Sequence, residues 1–196
     1  KPQFVLSSAT IANPKELAEG LTGLTVEEVT SNGAPFGGKE FAFWNPPLLD
    51  EAQSKRRSAS VDSSRLFTDL VQRGVRTLTF VRTRRMAELV FRLARGLLRQ
   101  ETAHLQSLVS PYRGTYLPED RHRIEKDLAE GRLLGVATTN ALELGIDIGD
   151  LEASILTGYP GSVASTWQQV GRSGRRNDIS LAILVAHDNP LDQYLM

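Results

Sequence analysis

Short apolar stretches that predict strands alternate with predicted helices between residues 75 and 186. The apolar stretches are residues 75–81, 133–137, 153–157 and 180–186. The first of them alternates and then runs apolar, as a strand in a covered sheet does. Strands and helices that alternate at this spacing favour right-handed βαβ units around a parallel sheet. The predicted fold class is therefore α/β, with a mainly parallel sheet and helices on both faces.

Helix boundaries are marked by caps. Thr83 is a predicted N-cap, and the apolar positions of the helix that it begins are Met86, Leu89, Val90, Leu93 and Leu97. The other side carries Arg85, Arg92 and Arg99, which we interpret as a solvated face rather than a binding surface. A further helix is predicted from Pro118, whose acidic first turn suits the positive helix end, to Gly131.

The beginning of the chain carries shorter patterns. Residues 4–6 and 26–29 predict two short strands, the first of them buried. Between them, Asn13 is a predicted N-cap, Pro14 the first helical residue and Gly23 the helix end. Because the chain starts on Lys1 without a methionine, we expect a piece of a larger protein.

Composition excludes several classes of function. Lys+Arg and Asp+Glu both total 23, so no overall positive field attracts nucleic acid, and contacts to it must be local. The absence of cysteine excludes a disulfide framework and a cysteine-based zinc site. His104, His122 and His187 lack metal-ligand spacing, and we expect no metal site in this chain. No apolar run approaches a membrane span and no signal peptide opens the chain, so we expect a cytoplasmic protein without a membrane partner.

Residues 33–39 satisfy the first part of a phosphate-binding P-loop, G-x-x-x-x-G-K. The next residue is Glu40, where Ser or Thr should hold magnesium, and a carboxylate there would repel phosphates. Residues 41–44 then alternate like a strand instead of beginning a helix. We therefore predict a turn into a strand. Lys55, Arg56 and Arg57 could touch a nucleic-acid backbone, but a solvated loop is the preferred interpretation.

The densest polar motif is Gln-Gln-Val-Gly-Arg-Ser-Gly-Arg at residues 168–175. On a helix its two arginines, at positions 172 and 175, would share one face. Arginine forks match phosphate oxygens bidentately, and the neighbouring glycines leave room for a bulky anion. Two converging forks can stabilise charge on a transferring phosphoryl group. The alternative is a solvated, arginine-rich helix end.

Residues 137–147 and 168–175 together resemble motifs V and VI of superfamily-2 helicases. Residues 8–10 resemble motif III, and the strand, turn and capped helix around Thr83 resemble motif IV. The chain thus resembles the second RecA-like domain of such a helicase, with a three-layer fold over residues 32–196, preceded by the end of the first domain over residues 1–31. Residues 45–47, 141–147, 158–161 and 167–169 carry a finer resemblance to YprA-type or MrfA-like DEAD/DEAH DNA-repair helicases with RecQ-like organisation.

The resemblance implies a nucleotide role for five residues. Arg172 and Arg175 match arginines that reach the γ-phosphate of ATP, with Arg175 at the arginine-finger position. Gln168 matches the leading glutamine of motif VI and joins the two arginines in the implied catalytic set. Asp147 matches the aspartate that bonds the ATP ribose, and Gly145 the glycine that packs close to the nucleotide.

The resemblance also implies nucleic-acid contacts. Thr139 matches a threonine that contacts a phosphate, while Gly114 and Arg121 match a spaced Gly and Arg before motif V. With Thr83 in motif IV, they form the expected nucleic-acid site. Ser8, Ala9 and Thr10 match the motif III residues that couple hydrolysis to strand movement.

The implied activity is ATP-dependent unwinding of nucleic acid, shared between two domains. The Walker A lysine and Walker B acids of the family have no counterpart here, so ATP and Mg²⁺ would be held mainly by the first RecA-like domain. We expect a monomer acting on single-stranded or partly duplex DNA. The alternatives are an RNA helicase and a non-catalytic nucleic-acid-binding module.

We predict that these 196 residues alone do not hydrolyse ATP, because they carry no residue set that cradles the β- and γ-phosphates with magnesium. The measurement is phosphate release by the purified chain with and without single-stranded DNA. Nucleic-acid-stimulated hydrolysis that co-purifies with the chain through a second column would contradict this prediction.

Overall fold

The computed structural model describes residues 2–8, 10–31, 33, 37–50, 52, 55–143, 148, 149, 151–174 and 179–196. The chain forms two compact units, residues 1–35 and residues 36–196. The assignment of residues 1–31 to a preceding RecA-like domain stays a prediction.

The first unit contains one helix in its described residues, α1 (Pro14–Thr22). The helix ends as predicted, because Gly23 adopts the left-handed conformation with a φ of 66° and donates its backbone N–H to Glu19. Asn13 occupies the N-cap position and Pro14 is the first helical residue, as predicted, but the cap does not use the Asn13 side chain. The Asn13 side chain accepts no bond from the helix, and its amide donates to Glu16 instead.

The two strands predicted in the first unit are wrong. Residues 4–6 and 26–29 belong to no strand, and Val5 and Val29 are 87% and 81% exposed. A strand forms only when a neighbour pairs with its backbone groups, and the described part of this unit offers no such neighbour.

The second unit is built around a sheet. Its strands are β1 (Lys39–Trp44), β2 (Leu48–Asp50), β3 (Lys55–Arg56), β4 (Thr77–Phe80), β5 (Val109–Tyr112), β6 (Gly135–Thr138), β7 (Ala153–Thr157) and β8 (Ser180–Val185). Its helices are α2 (Ala59–Gln72), α3 (Arg84–Glu101), α4 (Pro118–Ala129), α5 (Val163–Val170) and α6 (Pro190–Tyr194). Short 3-10 turns cover Ala103–Leu108 and Asn140–Leu142.

In the described residues, six strands form one sheet in the order β1-β8-β7-β4-β6-β5, and every neighbouring pair is parallel. One face packs on α4 and α5 through a cluster that includes Phe80, Tyr112, Leu128 and Val170. The other face packs on α2 and α3 through a second cluster. The predicted α/β class with three layers is therefore confirmed.

Several local predictions are also confirmed. The strand predicted after the P-loop-like sequence is β1, and Thr83 caps α3 by accepting a bond from the Met86 N–H. The buried side of α3 is shifted, however. Leu89 is 40% exposed, and the fully buried positions are Ala87, Val90, Ala94 and Leu98. Arg85, Arg92 and Arg99 are exposed, as expected for the solvated side.

Strand β5 is not among the predicted strands, since it contains Pro111, which lacks a backbone donor. The proline is tolerated because β5 is an outer strand of the sheet, with a neighbour on one side only. The short antiparallel pair of β2 and β3 is also absent from the sequence-based prediction. Arg56 and Arg57 are used there internally: Arg56 donates to the Pro46 carbonyl, and Arg57 forms an ion pair with Asp62. No described helix is both long and apolar enough to cross a lipid bilayer.

Gly135 in β6 is expected to tolerate no side chain, because a Cβ there would lie 2.3 Å from the Phe67 ring and 2.9 Å from Val71. Gly135→Ala should lower the free energy of unfolding by about 1–3 kcal/mol through overpacking. The matched control is Gly96→Ala in the exposed side of α3, where nothing lies within 4 Å. That change should raise stability by about 0.5–1 kcal/mol, because alanine is the better helix former.

Urea unfolding of the 196-residue chain, followed by circular dichroism, compares the two variants. A Gly135→Ala midpoint at or above that of Gly96→Ala would contradict the close packing of α2 on β6.

Candidate functional site

The carboxyl ends of the parallel strands meet at one edge of the sheet, and the predicted site residues follow those ends. Phe80 at the end of β4 lies beside Thr138 of β6 and Leu156 of β7. Thr139 directly follows β6, and Thr83 lies three residues after the end of β4. Ligands of open parallel sheets bind at this edge, outside the strand ends.

Gly114 and Arg121 lie near the same edge, after the end of β5. A Cβ on Gly114 would stand 3.5 Å from Ala141 in the 3-10 turn that follows β6. The Arg121 side chain interacts with the hydroxyl of Tyr112, which also donates to Glu125 at 2.5 Å. Burial and the Glu125 carboxylate raise the pKa of Tyr112 to about 12. The expected nucleic-acid residues thus occupy one edge of the sheet, although the contact itself stays a prediction.

A cleft of about 230 Å³ opens at the centre of this edge. It is lined by residues from the segments that resemble motifs IV, V and VI, among them Arg82, Asn140, Glu143 and Gln169. Gly158 and Pro160 from the loop after β7, and Ser165 of α5, also line the cleft. The cleft is therefore the place where the three motifs meet.

Two helix N-termini begin at this edge. Thr83 caps α3, and Ser162 caps α5 by accepting a bond of 3.0 Å from the Ser165 N–H. Helix N-termini carry partial positive charge and unpaired N–H groups, which favour anions. The hydroxyl of Thr83 is engaged in its own helix, but it keeps a proton with which it can donate to a ligand.

The motif V and motif VI segments contact each other directly through polar side chains. Glu143 is 8% exposed, and its carboxylate accepts a bond of 3.0 Å from the amide of Gln169. The guanidinium of Arg172 donates through two nitrogens to the backbone carbonyl of the same Glu143. Buried polar groups of this kind require partners, and here each segment supplies them to the other.

The helical geometry expected for the arginine pair is wrong for Arg172. Helix α5 ends at Val170, Gly171 and Arg172 form a turn, and Ser173 pairs as an isolated bridge with Leu151. The chain leaves the helix because that bridge, and a bond of 2.9 Å from the Gly174 N–H to the Leu151 carbonyl, draw it back to the sheet. Arg172 is 8% exposed, so the alternative of a solvated helix end does not describe it.

The remaining predicted nucleotide residues are placed as follows. Arg175, Asp147 and Gly145 lie outside the described residues. Gln168 is half-buried on α5, one position before the Gln169 that contacts motif V. Of the residues that resemble motif III, Ser8 accepts a bond of 3.3 Å from the Thr10 N–H, and Ala9 lies outside the described residues.

Lys39 is a residue of this region that sequence reasoning missed. Its ammonium donates to the carbonyls of Val170 and Ser173 at 2.6 Å and 2.5 Å, and to the Ser173 hydroxyl at 3.3 Å. Burial lowers the pKa of Lys39 to about 8. The sequence signal for it is the lysine of the P-loop-like motif, at the end of the predicted turn.

Asp192 is a second residue that the sequence did not reveal. This carboxylate of α6 is 1% exposed and accepts bonds from the backbone N–H groups of His187 and Tyr159 at 2.8 Å and 3.2 Å. Arg82 approaches it to 3.8 Å and donates to the Tyr159 carbonyl at 2.8 Å. Burial lowers the pKa of His187, whose ring leaves no room for a side chain at Gly158. Together they fix the loop that lines the cleft after β7.

The described residues contain no group of three or more His, Cys, Asp or Glu side chains that could hold a metal ion. Within the described part of the chain, the cleft lining offers amide, guanidinium and hydroxyl groups, and the Glu143 carboxylate there is bonded to Gln169. Such a lining suits oxyanions better than cations.

Comparison with known proteins identifies the class. Residues 62–177 match the helicase conserved C-terminal domain. The chain therefore belongs to the helicase C-terminal domain family, and within it to the YprA/MrfA type of superfamily-2 helicases.

The individual relatives agree with that assignment. The chain is 48% identical over 195 residues to the ATP-dependent helicase YprA of Bacillus subtilis, covering all of this chain and 26% of YprA. It is 39% identical over 194 residues to the ATP-dependent helicase HRQ1 of Saccharomyces cerevisiae, covering 98% of this chain and 18% of HRQ1. The crystal structure of the DUF1998 helicase MrfA bound to DNA and AMPPNP matches with a TM-score of 0.87 and 48% identity, over 96% of this chain and 26% of MrfA. The chain thus spans about a quarter or less of each relative.

The contact between Glu143 and Gln169 predicts energetic coupling between the two motifs. In a double-mutant cycle of Glu143→Ala and Gln169→Ala, we expect a coupling of about 1.5–3 kcal/mol in unfolding free energy, because a buried bond to a charged group is lost. The matched control is the exposed pair Gln72 and Glu101, joined at 2.8 Å by the same two groups. Water competes there, so its coupling should stay below about 0.5 kcal/mol. Equal couplings for the two pairs would contradict a dry contact between the motifs.

Proposed function

We propose that this chain is the second RecA-like domain of an ATP-dependent DNA helicase that acts in DNA repair. The observation that carries the proposal is the direct bonding of Gln169 and Arg172 to Glu143 beside the cleft at the carboxyl edge. In the proposed site the first of these segments would carry the nucleic-acid contact of Thr139 and the ribose contact of Asp147, and the second would carry the arginines at the γ-phosphate. A rigid polar contact between them is what would let one ligand influence the other.

The proposed division of labour places ATP and Mg²⁺ mainly on the first RecA-like domain of the same chain. The second RecA-like domain, residues 32–196, would add Arg175 and Arg172 at the γ-phosphate, with Gln168 beside them. It would also place Asp147 and Gly145 at the ribose side of the nucleotide. The Arg172 guanidinium donates through two nitrogens to the Glu143 carbonyl, which orients its fork. Magnesium would offset phosphate charge and orient the transferring group.

The proposed nucleic-acid surface is formed by the carboxyl ends of the parallel strands and the loops that follow them. Thr83 and Thr139 would contact phosphates, while Gly114 and Arg121 lie beside the 3-10 turn and the end of β5. Net charge near zero fits this arrangement, because partial charges at helix N-termini and single arginines act over short distances. Affinity should therefore fall with salt and depend little on base sequence.

Three properties complete the proposal. The protein would work as a cytoplasmic monomer on single-stranded or partly duplex DNA. Domain closure on ATP and opening after hydrolysis would shift the two RecA-like domains along the strand, with residues 8–10 transmitting the change. DNA is chosen over RNA because the similar MrfA structure was solved with DNA, at 48% identity.

The proposal is tested at Arg175 in the intact protein. In the ground state ATP is held mainly by the other domain, so Arg175→Ala should barely change the nucleotide KM. Charge develops on the phosphoryl oxygens in the transition state, and arginine fingers contribute on the order of 10³ to 10⁵ in rate. We expect kcat to fall by that order, and Arg175→Lys to do nearly as badly, because a point charge cannot replace the planar fork.

The assay is steady-state ATPase with single-stranded DNA and, separately, single-stranded RNA, together with a melting curve. Arg73→Ala is the control, since Arg73 is exposed at the end of α2 and pairs with Asp69 there. A kcat of folded Arg175→Ala within about threefold of wild type would exclude the finger role. Strand binding without any ATPase in the wild type would favour the non-catalytic module, and stimulation by RNA alone would favour an RNA helicase.

A further inference from the structure

Lys39 belongs to the P-loop-like sequence, which the proposed function leaves without a role. It is the first residue of β1, and its ammonium reaches across to the segment that resembles motif VI. The two oxygens that it binds at 2.6 Å and 2.5 Å are the backbone carbonyls of Val170 and Ser173. Both belong to the segment that carries the two arginines.

The positions of these carbonyls are informative. Val170 is the last residue of α5, where carbonyls lack partners inside the helix. It precedes Arg172 by two residues, and Ser173 precedes Arg175 by two. A single ammonium thus binds the backbone two residues before each arginine.

The same turn is also held by hydrogen bonds to β7 and to Leu151, just before β7. The Ser173 hydroxyl accepts a bond of 2.9 Å from Ser154 of β7, and the Gly174 N–H donates to the Leu151 carbonyl at 2.9 Å. Gly174 has a φ of 80°, and a Cβ there would lie 2.2 Å from the Ser180 hydroxyl oxygen. The turn therefore has one packed arrangement, with Lys39 on one side and β7 on the other.

Holding a turn with a half-buried ammonium costs desolvation free energy, since burial disfavours the charged form. An apolar side chain of the same length could fill the space on the edge strand. What it could not do is donate to two carbonyls and a hydroxyl at once, which uses all three protons of the ammonium. The chemistry of the site thus points to orientation of the turn rather than to packing.

The geometry points to Lys39 as a positioning residue for Arg172, holding the 170–174 turn so that the Arg172 guanidinium meets the phosphoryl group in one orientation. This inference rests on the proposed function and adds a residue to it. Arginines at a phosphoryl site must be held within fractions of an ångström, because small misplacements cost large factors in rate.

The test is Lys39→Met in the intact protein, with Lys126→Met as the matched control. Lys126 is exposed on α4 and approaches Glu130 only to 3.9 Å. We expect Lys39→Met to lower the kcat of DNA-stimulated ATP hydrolysis about tenfold or more, with the nucleotide KM and the DNA affinity within about threefold of wild type. Lys126→Met should match wild type in all three.

The split between kcat and KM separates positioning from a structural role. A structural role would lower the melting temperature and the amount of folded protein, but not kcat per folded molecule. Lys39→Gln, which keeps two amide donors without the charge, should fold if Lys39→Met does not, and should show the same loss of kcat. Either folded variant with kcat within about threefold of wild type overturns the inference. Failure of both variants to fold would assign Lys39 to folding and would also overturn it.

The outcome is distinct from a failure of the proposed function. A wild-type protein that hydrolyses no ATP with DNA would remove the proposed function and this inference together. A wild type that is active, with an Arg175→Ala variant that is not, leaves the Lys39 variants to decide the role of Lys39 alone.

Discussion

The parallel register of the central strands is the constraint on which the site depends. Strand β4 lies between β6 and β7, and Phe80 is level with Thr138 on one side and Leu156 on the other. Since parallel strands run in one direction, their carboxyl ends and the loops that follow reach the same edge. A slip of one residue would turn each side chain to the opposite face, and the apolar clusters on both faces prevent it.

The edge produced by this register handles charge in a particular way. A chain with equal numbers of acidic and basic residues cannot attract anions through its overall field. The local arrangement compensates. The N-termini of α3 and α5 lie there, and the carboxylate that the described residues place in the cleft, that of Glu143, is bonded to Gln169. A buried carboxylate with a neutral donor and a guanidinium at its own backbone serves as an anchor rather than as a repulsive charge.

The turn after α5 shows how tightly the site is built. Gly174 faces Ser180 with no space for a Cβ, while Lys39 and Ser154 both donate hydrogen bonds to Ser173. The bonds from Ser154 and Lys39 reach Ser173 from residues that are 19 and 134 positions away in the chain. Packing of this density leaves a turn few alternatives, which is the physical requirement for groups that must meet a reacting phosphate in one geometry.

The sequence by itself determined the class of fold, the family and the local boundaries. Strands β4 and β7, the cap at Thr83 and the left-handed ends at Gly23 and Gly131 could all be predicted, because each depends on residues within a few positions. The tertiary structure alone decided what depends on distant partners. Two apolar stretches in the first unit form no strand without a neighbour, Pro111 is tolerated because β5 falls at the sheet edge, and Arg172 leaves the helix because Ser173 pairs with Leu151. Lys39 binds the carbonyls of Val170 and Ser173 only because β1 pairs with β8. Hydrogen bonds between residues more than a hundred positions apart leave no local pattern in the sequence that would predict them.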